Sequence, residues 1–140
     1  MVASQPRRHA RWTPISIAAC GLMLVAMVSF AIASIIHSGT VIALGPITID
    51  DPFPGAVIPE AVIAVVLGIG SLSILAHWPA RWGMALAAAL FAFLLTVYGL
   101  TVTAGSARTG DITYHIAVLA LSGVLVGLLL LPMGRRGLAG

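Results

Sequence analysis

The sequence predicts an all-α membrane protein, an up-down bundle of four transmembrane helices with a partly extended outer loop between helices 1 and 2. Sixty per cent of the 140 residues are hydrophobic and only 8% are charged, whereas soluble domains carry about 25% charged residues. Four apolar runs each approach the roughly 20 residues that a helix needs to cross a bilayer. Polar or turn-forming breaks separate the runs, and the breaks after the long first one are short, which favours antiparallel neighbouring helices.

The predicted organisation is one four-span membrane domain, residues 15–133, between a basic tail at 1–14 and a second tail at 134–140. The outer loop covers residues 38–58. The predicted spans are residues 15–36, 59–76, 83–102 and 112–131. The first span also resembles a signal peptide with a cleavage site near Ser34, but its apolar region exceeds the usual 7–15 residues. We therefore expect an uncleaved span.

The arginines predict the orientation of the bundle. Positive charge accumulates in cytoplasmic segments, and six of the seven basic residues flank the spans on one side: Arg7, Arg8, Arg11, Arg81, Arg135 and Arg136. Both termini are therefore expected in the cytoplasm, and the four spans are expected to contact the lipid bilayer. The amino-acid composition, which lacks lysine and is rich in alanine, arginine and glycine, is typical of a high-GC bacterial gene. The expected location is therefore the bacterial inner membrane. Because no basic face with interleaved aromatic residues is present, nucleic acid is excluded as a partner.

The outer loop has the pattern of a hairpin or extended pair. β-branched residues flank Gly45 and Pro46, and Asp50 and Asp51 follow in a proline-rich turn. Such a pattern predicts an ordered loop rather than a flexible linker. Pro59 followed by Glu60 predicts the start of the second helix, because proline suits the first helical position and a carboxylate complements the positive helix end.

The stretch TGDITYHIAVL places three polar residues where the fourth apolar run begins. Asp111 suits a helix N-cap, and Tyr114 suits an interfacial anchor. His115 lies one turn beyond Asp111, where an i,i+4 contact is available. An ionisable side chain within a span is costly and usually functional. We expect His115 to bond locally, to Asp111 or a loop carbonyl, while it remains a candidate for ligand binding.

Six outer residues form a candidate metal or haem site. Imidazole and carboxylate groups suit zinc, copper or another divalent ion, and two histidines between spans 1 and 4 suit haem. No local metal-binding motif supports either alternative, because the residues come from distant positions. The candidates are His37, His115, Glu60, Asp111, Asp50 and Asp51.

Small residues spaced four apart on three spans are typical of close helix packing. They could be used within one bundle, in a homo-oligomer or against a larger membrane protein. The positions are Gly123 and Gly127, Ala85 and Ala89, and Ala64 and Gly68.

The sequence contains no nucleophile–base–acid set, phosphate-binding glycine loop or dinucleotide fingerprint, so we expect a protein that is not an enzyme. The leading hypothesis is an accessory or assembly subunit of a larger membrane complex, without a cofactor. One alternative is a metal- or haem-binding redox or sensor protein that uses the outer histidines. Another is a small oligomeric transporter or channel, which the uncharged span centres disfavour.

Overall fold

The computed structural model describes residues 12–105 and 109–138. Its long helices are α1 (Pro14–His37), α2 (Pro54–Leu75), α3 (Arg81–Ala104) and α4 (Thr109–Leu130). All four are long and apolar enough to cross a membrane. The described chain is thus an all-α, four-helix membrane protein, which confirms the predicted fold class. Three of the arginines used to predict the orientation lie outside the described residues: Arg7, Arg8 and Arg11.

The loop between α1 and α2 forms the predicted hairpin. Strand β1 (Ile42–Leu44) pairs antiparallel with β2 (Ile47–Ile49), and Leu44 lies opposite Ile47. Gly45 has a φ of 62°, the sign that a type II′ turn requires at its first central position, and Pro46 supplies the negative φ of the second. We call the part of the bundle beside this loop the hairpin end.

Helix α1 begins where local capping groups satisfy its first amides. The Thr13 side chain accepts from the Ser16 amide at 3.1 Å, and the Ser16 hydroxyl oxygen accepts from the Thr13 amide at 2.8 Å. This reciprocal arrangement is a capping box. Pro14 then occupies the first helical position, where it sacrifices no hydrogen bond.

Helix α2 begins at Pro54, five residues before the predicted start at Pro59, which lies inside the helix. Both prolines precede the long apolar run, and Pro54 takes the first helical position. The extra turn also contacts α1, because the Ser34 hydroxyl donates to the Val57 carbonyl at 2.8 Å. Such a contact between two helices is a tertiary interaction that local sequence does not reveal.

Part of the predicted tail at residues 134–140 is a short packed helix, α5 (Pro132–Leu138). Leu138 is buried, and its carbonyl accepts from Nε of the buried Arg81 at 2.8 Å. The Trp82 indole donates to the Leu129 carbonyl at 3.0 Å. The seven-residue segment is too short to show a clear periodic pattern, so its packing partners define it. We call this part of the bundle the α5 end.

The core is built from large side chains on α1, α2 and α4 that face an alanine-rich α3. Phe30, Leu67 and Leu125 are fully buried, as is Ala92 on α3. Close approach at Gly70 is extreme, because an added Cβ would lie 2.6 Å from Cε of Met23. Small residues therefore allow the helices to pack tightly in this bundle.

Most of the predicted small-residue faces are used inside the bundle. Ala85 and Ala89 are fully buried, Ala64 is 7% exposed, and a Cβ at Gly68 would lie 3.3 Å from the Met27 sulfur. A Cβ at Gly123 would lie 3.6 Å from the Phe93 ring. Only Gly127 among these positions has no described atom within 4 Å of an added Cβ.

Replacing Trp82 with phenylalanine is expected to lower the free energy of unfolding by about 1 kcal/mol, because the Leu129 carbonyl loses its indole donor. Thermal unfolding in detergent would measure the change. Trp78→Phe is the matched control, since Trp78 lies at the same end and is 39% exposed. Equal effects of the two substitutions would contradict a role for the indole hydrogen bond.

Candidate metal centre

A buried histidine connects three helices at the hairpin end. His37 is the last residue of α1, and its Nδ1 lies 2.7 Å from Oε2 of Glu60 on α2. Its Nε2 lies 3.4 Å from Oδ1 of Asp111 on α4. All three residues are less than 5% exposed. Asp111 lies in the first turn of α4 rather than at the predicted N-cap, because the helix already includes Thr109.

The segment after the hairpin brings a further carboxylate to His37. The backbone amide of Phe53 donates to the His37 carbonyl at 2.9 Å, and the two rings meet edge to face with centroids 5.8 Å apart. This contact fixes the chain just after Asp51. As a result, ligand atoms of His37, Asp51 and Asp111 all lie within 4.8 Å of one another.

Burial makes this cluster electrostatically demanding. Carboxylates removed from water are costly unless a partner compensates for the lost hydration, and Glu60 and Asp111 share His37 as that partner. The second Glu60 oxygen, Oε1, is buried without a hydrogen bond to any described residue. The arrangement suits a centre that a cation or a proton completes.

His115 makes the local bond that the sequence predicts. Its Nδ1 lies 2.8 Å from the Asp111 backbone carbonyl, so this nitrogen carries the hydrogen and donates. The other side of the ring packs on α3, where a Cβ added at Gly99 would lie only 2.6 Å from Nε2. His115 thus supports the first turn of α4 rather than joining the group formed by His37, Asp51 and Asp111.

The remaining predicted site residues separate into two groups. The structure brings His37, Glu60, Asp51 and Asp111 together, whereas Asp50 is exposed beside the hairpin. A haem between His37 and His115 is not favoured by this geometry. The bond to the Asp111 carbonyl leaves Nε2 of His115 as its free nitrogen, but this atom packs against Gly99 of α3, where an added Cβ would be only 2.6 Å away.

Tyr114 differs from the predicted interfacial anchor. Its hydroxyl is buried without a hydrogen bond to any described residue, and its ring contacts Phe30 of α1 edge to face at 6.0 Å. The available sequence signal was its i,i+3 spacing from Asp111, which puts the two residues on neighbouring parts of one helix face. Tyr114 therefore forms part of the wall around the cluster.

The fold and this cluster define a class, the multi-pass helical membrane proteins with a buried histidine–carboxylate centre near one end of the bundle. Comparisons with protein-family models, with curated proteins and with solved structures gave no match for this chain.

Proposed function

We propose that this membrane protein binds a divalent metal ion of the zinc type at the hairpin end, with His37, Asp51 and Asp111 as ligands. The observation that carries the proposal is the convergence of one imidazole and two carboxylates within 4.8 Å. These residues come from α1, from the segment after the hairpin and from α4. Binding of one ion would thus connect three parts of the fold.

The spacing of the ligand atoms suits a metal ion. Nε2 of His37 and Oδ1 of Asp111 are 3.4 Å apart. Metal bonds of about 2.0–2.2 Å in a tetrahedron put neighbouring ligand atoms roughly 3.4 Å apart. Asp51 lies on a loop rather than inside a helix, so its carboxylate can adjust its position to the same ion.

Glu60 supports the proposal from behind the histidine. Histidine ligands usually donate their second ring N–H to a carboxylate, which fixes the ring and makes the coordinating nitrogen more basic. Nδ1 of His37 has this partner in Glu60 at 2.7 Å, which leaves Nε2 directed toward Asp111. Glu60 is therefore an orienting residue rather than a direct ligand in this proposal.

The other two hypotheses receive less support from the contacts. The accessory-subunit hypothesis depends in part on small-residue faces, but Ala64, Ala85 and Ala89 pack inside the bundle. The transporter hypothesis needs polar groups along the spans. Ser71 and Thr96 instead donate to carbonyls of their own helices, which is common for hydroxyl groups in apolar helices.

The predicted orientation gives the site its proposed setting. If the arginine-rich side faces the cytoplasm, the hairpin end faces outward, and the protein would sense or retain a metal ion from outside the membrane. A bound ion would hold the hairpin segment against α1 and α4. Metal binding would therefore increase the order of the outer loop.

The neighbouring residues Asp50 and Asp51 allow a test of the proposed ligand set. Protein purified in detergent without a polyhistidine tag would be titrated with Zn²⁺ by calorimetry, and retained zinc would be counted by elemental mass spectrometry. Asp51→Asn is expected to weaken binding by about tenfold or more, because an amide is a poorer zinc ligand than a carboxylate. Asp50→Asn is the matched control, expected to remain within about twofold because an exposed charge is screened.

Zinc bound equally by the wild type and Asp51→Asn would contradict the proposed ligand set. A wild type that retains no zinc would contradict the function itself and leave His37 as the partner of two carboxylates in an ordinary structural network.

A further inference from the structure

An open groove leads from the proposed metal centre along the outside of the bundle. It has a volume of about 370 Å³ and lies between the second half of α1 and the first turns of α4. This size falls within the usual range of ligand pockets. Its two ends differ in chemistry, because one is apolar and the other contains ionisable groups.

The apolar part of the groove follows α1 into the membrane. Ser29, Ile32, Ala33 and Ile36 line it, and the Ser29 hydroxyl donates to the carbonyl of Val25 on its own helix. From Ser29 to His37 the helix rises about 12 Å at 1.5 Å per residue. One leaflet of the hydrocarbon core is about 15 Å thick, so the groove runs through most of a leaflet.

The polar end of the groove consists of the three proposed metal ligands, His37, Asp51 and Asp111. Zinc sites with only three protein ligands keep a further position for water or a ligand. Because all three residues line the groove, this position would open into it. An anionic oxygen in this position would lie at the polar end of the apolar groove.

We infer that the groove binds one membrane phospholipid, whose acyl chain lies along α1 and whose phosphate oxygen fills the open position on the metal ion. The inference rests on the proposed metal-binding function. It names the ligand class of that site, an anionic headgroup attached to an apolar chain. The polar end lies at the end of α1 and the start of α4, and the ends of membrane-spanning helices are expected near the lipid headgroups.

A lipid fits the groove better than free phosphate or a partner helix. Free phosphate would use the polar end but leave Ile32 and Ile36 without an occupant. A helix would cover the apolar wall but place backbone or side chains against two aspartates. A phospholipid has a group for each end, because its acyl chain can cover the apolar wall and its phosphate oxygen can take the open coordination position.

Native mass spectrometry of the full chain in detergent would test this inference. The probes are dioleoylphosphatidylglycerol and inorganic phosphate, each titrated with either Zn²⁺ or a chelator present. Ser29→Trp fills the groove without touching a metal ligand, and Ile32→Trp does so from the next turn. Val28→Trp is the matched control, because Val28 is 47% exposed on α1 and is not a lining residue.

We expect zinc to increase retention of one lipid per chain by about fivefold or more, and both groove variants to lose that increase while keeping zinc. Val28→Trp should behave as the wild type. Equal lipid retention in wild type and groove variants that still bind zinc would overturn the lipid inference alone. Inorganic phosphate that displaces the lipid equally well from all variants would also overturn it, because the acyl chain would then add nothing to binding. Absence of zinc from the wild type would instead overturn the proposed function.

Discussion

Replacing His37 with alanine is expected to lower the free energy of unfolding by about 3 kcal/mol, because it leaves buried carboxylates without their shared cationic or hydrogen-bonding partner. Glu60 is most affected. Its Oε2 loses the 2.7 Å contact with His37, and its Oε1 already has no described hydrogen-bond partner. Unfolding of the purified protein in detergent would measure the loss, and zinc binding would disappear in the same variant.

A double-mutant cycle would separate this electrostatic effect from lost packing. Glu60→Gln in the His37→Ala background is expected to recover part of the lost stability, since a neutral amide is less costly to bury than a carboxylate. His37→Ala removes the contact between the Phe53 and His37 rings whether residue 60 is glutamate or glutamine, so this packing loss cancels in the cycle. An unchanged unfolding temperature in His37→Ala would contradict the buried cluster, and strict additivity would contradict its coupling.

Replacing Gly99 with alanine is expected to destabilise the protein by about 1–2 kcal/mol, because the new Cβ would lie 2.6 Å from Nε2 of His115. Overpacking of this kind typically costs about 1–3 kcal/mol. The hydrogen bond from His115 to the Asp111 carbonyl restricts the ring from moving away. The effect should also reach the site, because a displaced His115 would disturb the first turn of α4 and thus Asp111.

Two comparisons make the Gly99 prediction specific. Gly21→Ala on α1 is the matched control, because no described atom lies within 4 Å of the added Cβ, and it should stabilise the helix by about 0.5–1 kcal/mol. In a His115→Ala background, Gly99→Ala should no longer be destabilising, since the clashing ring is gone. Persistent destabilisation there would show that α3 rejects alanine for another reason.

The candidate site was partly visible in the sequence. His37, Glu60, Asp51 and Asp111 were among the six candidates, because ionisable groups are scarce in this chain and fall near the ends of apolar runs. The sequence does not distinguish Asp51 from Asp50 as a candidate ligand, because the two residues are neighbours with the same chemistry. The segment after β2, which the bond from the Phe53 amide to the His37 carbonyl holds against α1, brings Asp51 into the cluster.

Helix rotation decided the features that the sequence left open. Tyr114 suited a lipid-facing anchor by its depth, but α4 turns its hydroxyl into the protein. The alanines of α3 suited several kinds of interface, and the packing of α1 and α2 against them uses most of these faces inside one bundle. Rotation about a helix axis changes neither hydropathy nor length, so composition and run length do not record it.

The sequence by itself determined the membrane class, the four helices and the hairpin, because these depend on local properties: apolar run length, charge exclusion and the turn preferences of Gly45 and Pro46. Tertiary structure decided which ionisable groups meet, how His115 packs on Gly99, and that the chain after Leu130 folds back as α5. These features depend on contacts between segments far apart in the chain. Their energies arise only when the helices are brought together at a particular depth and rotation.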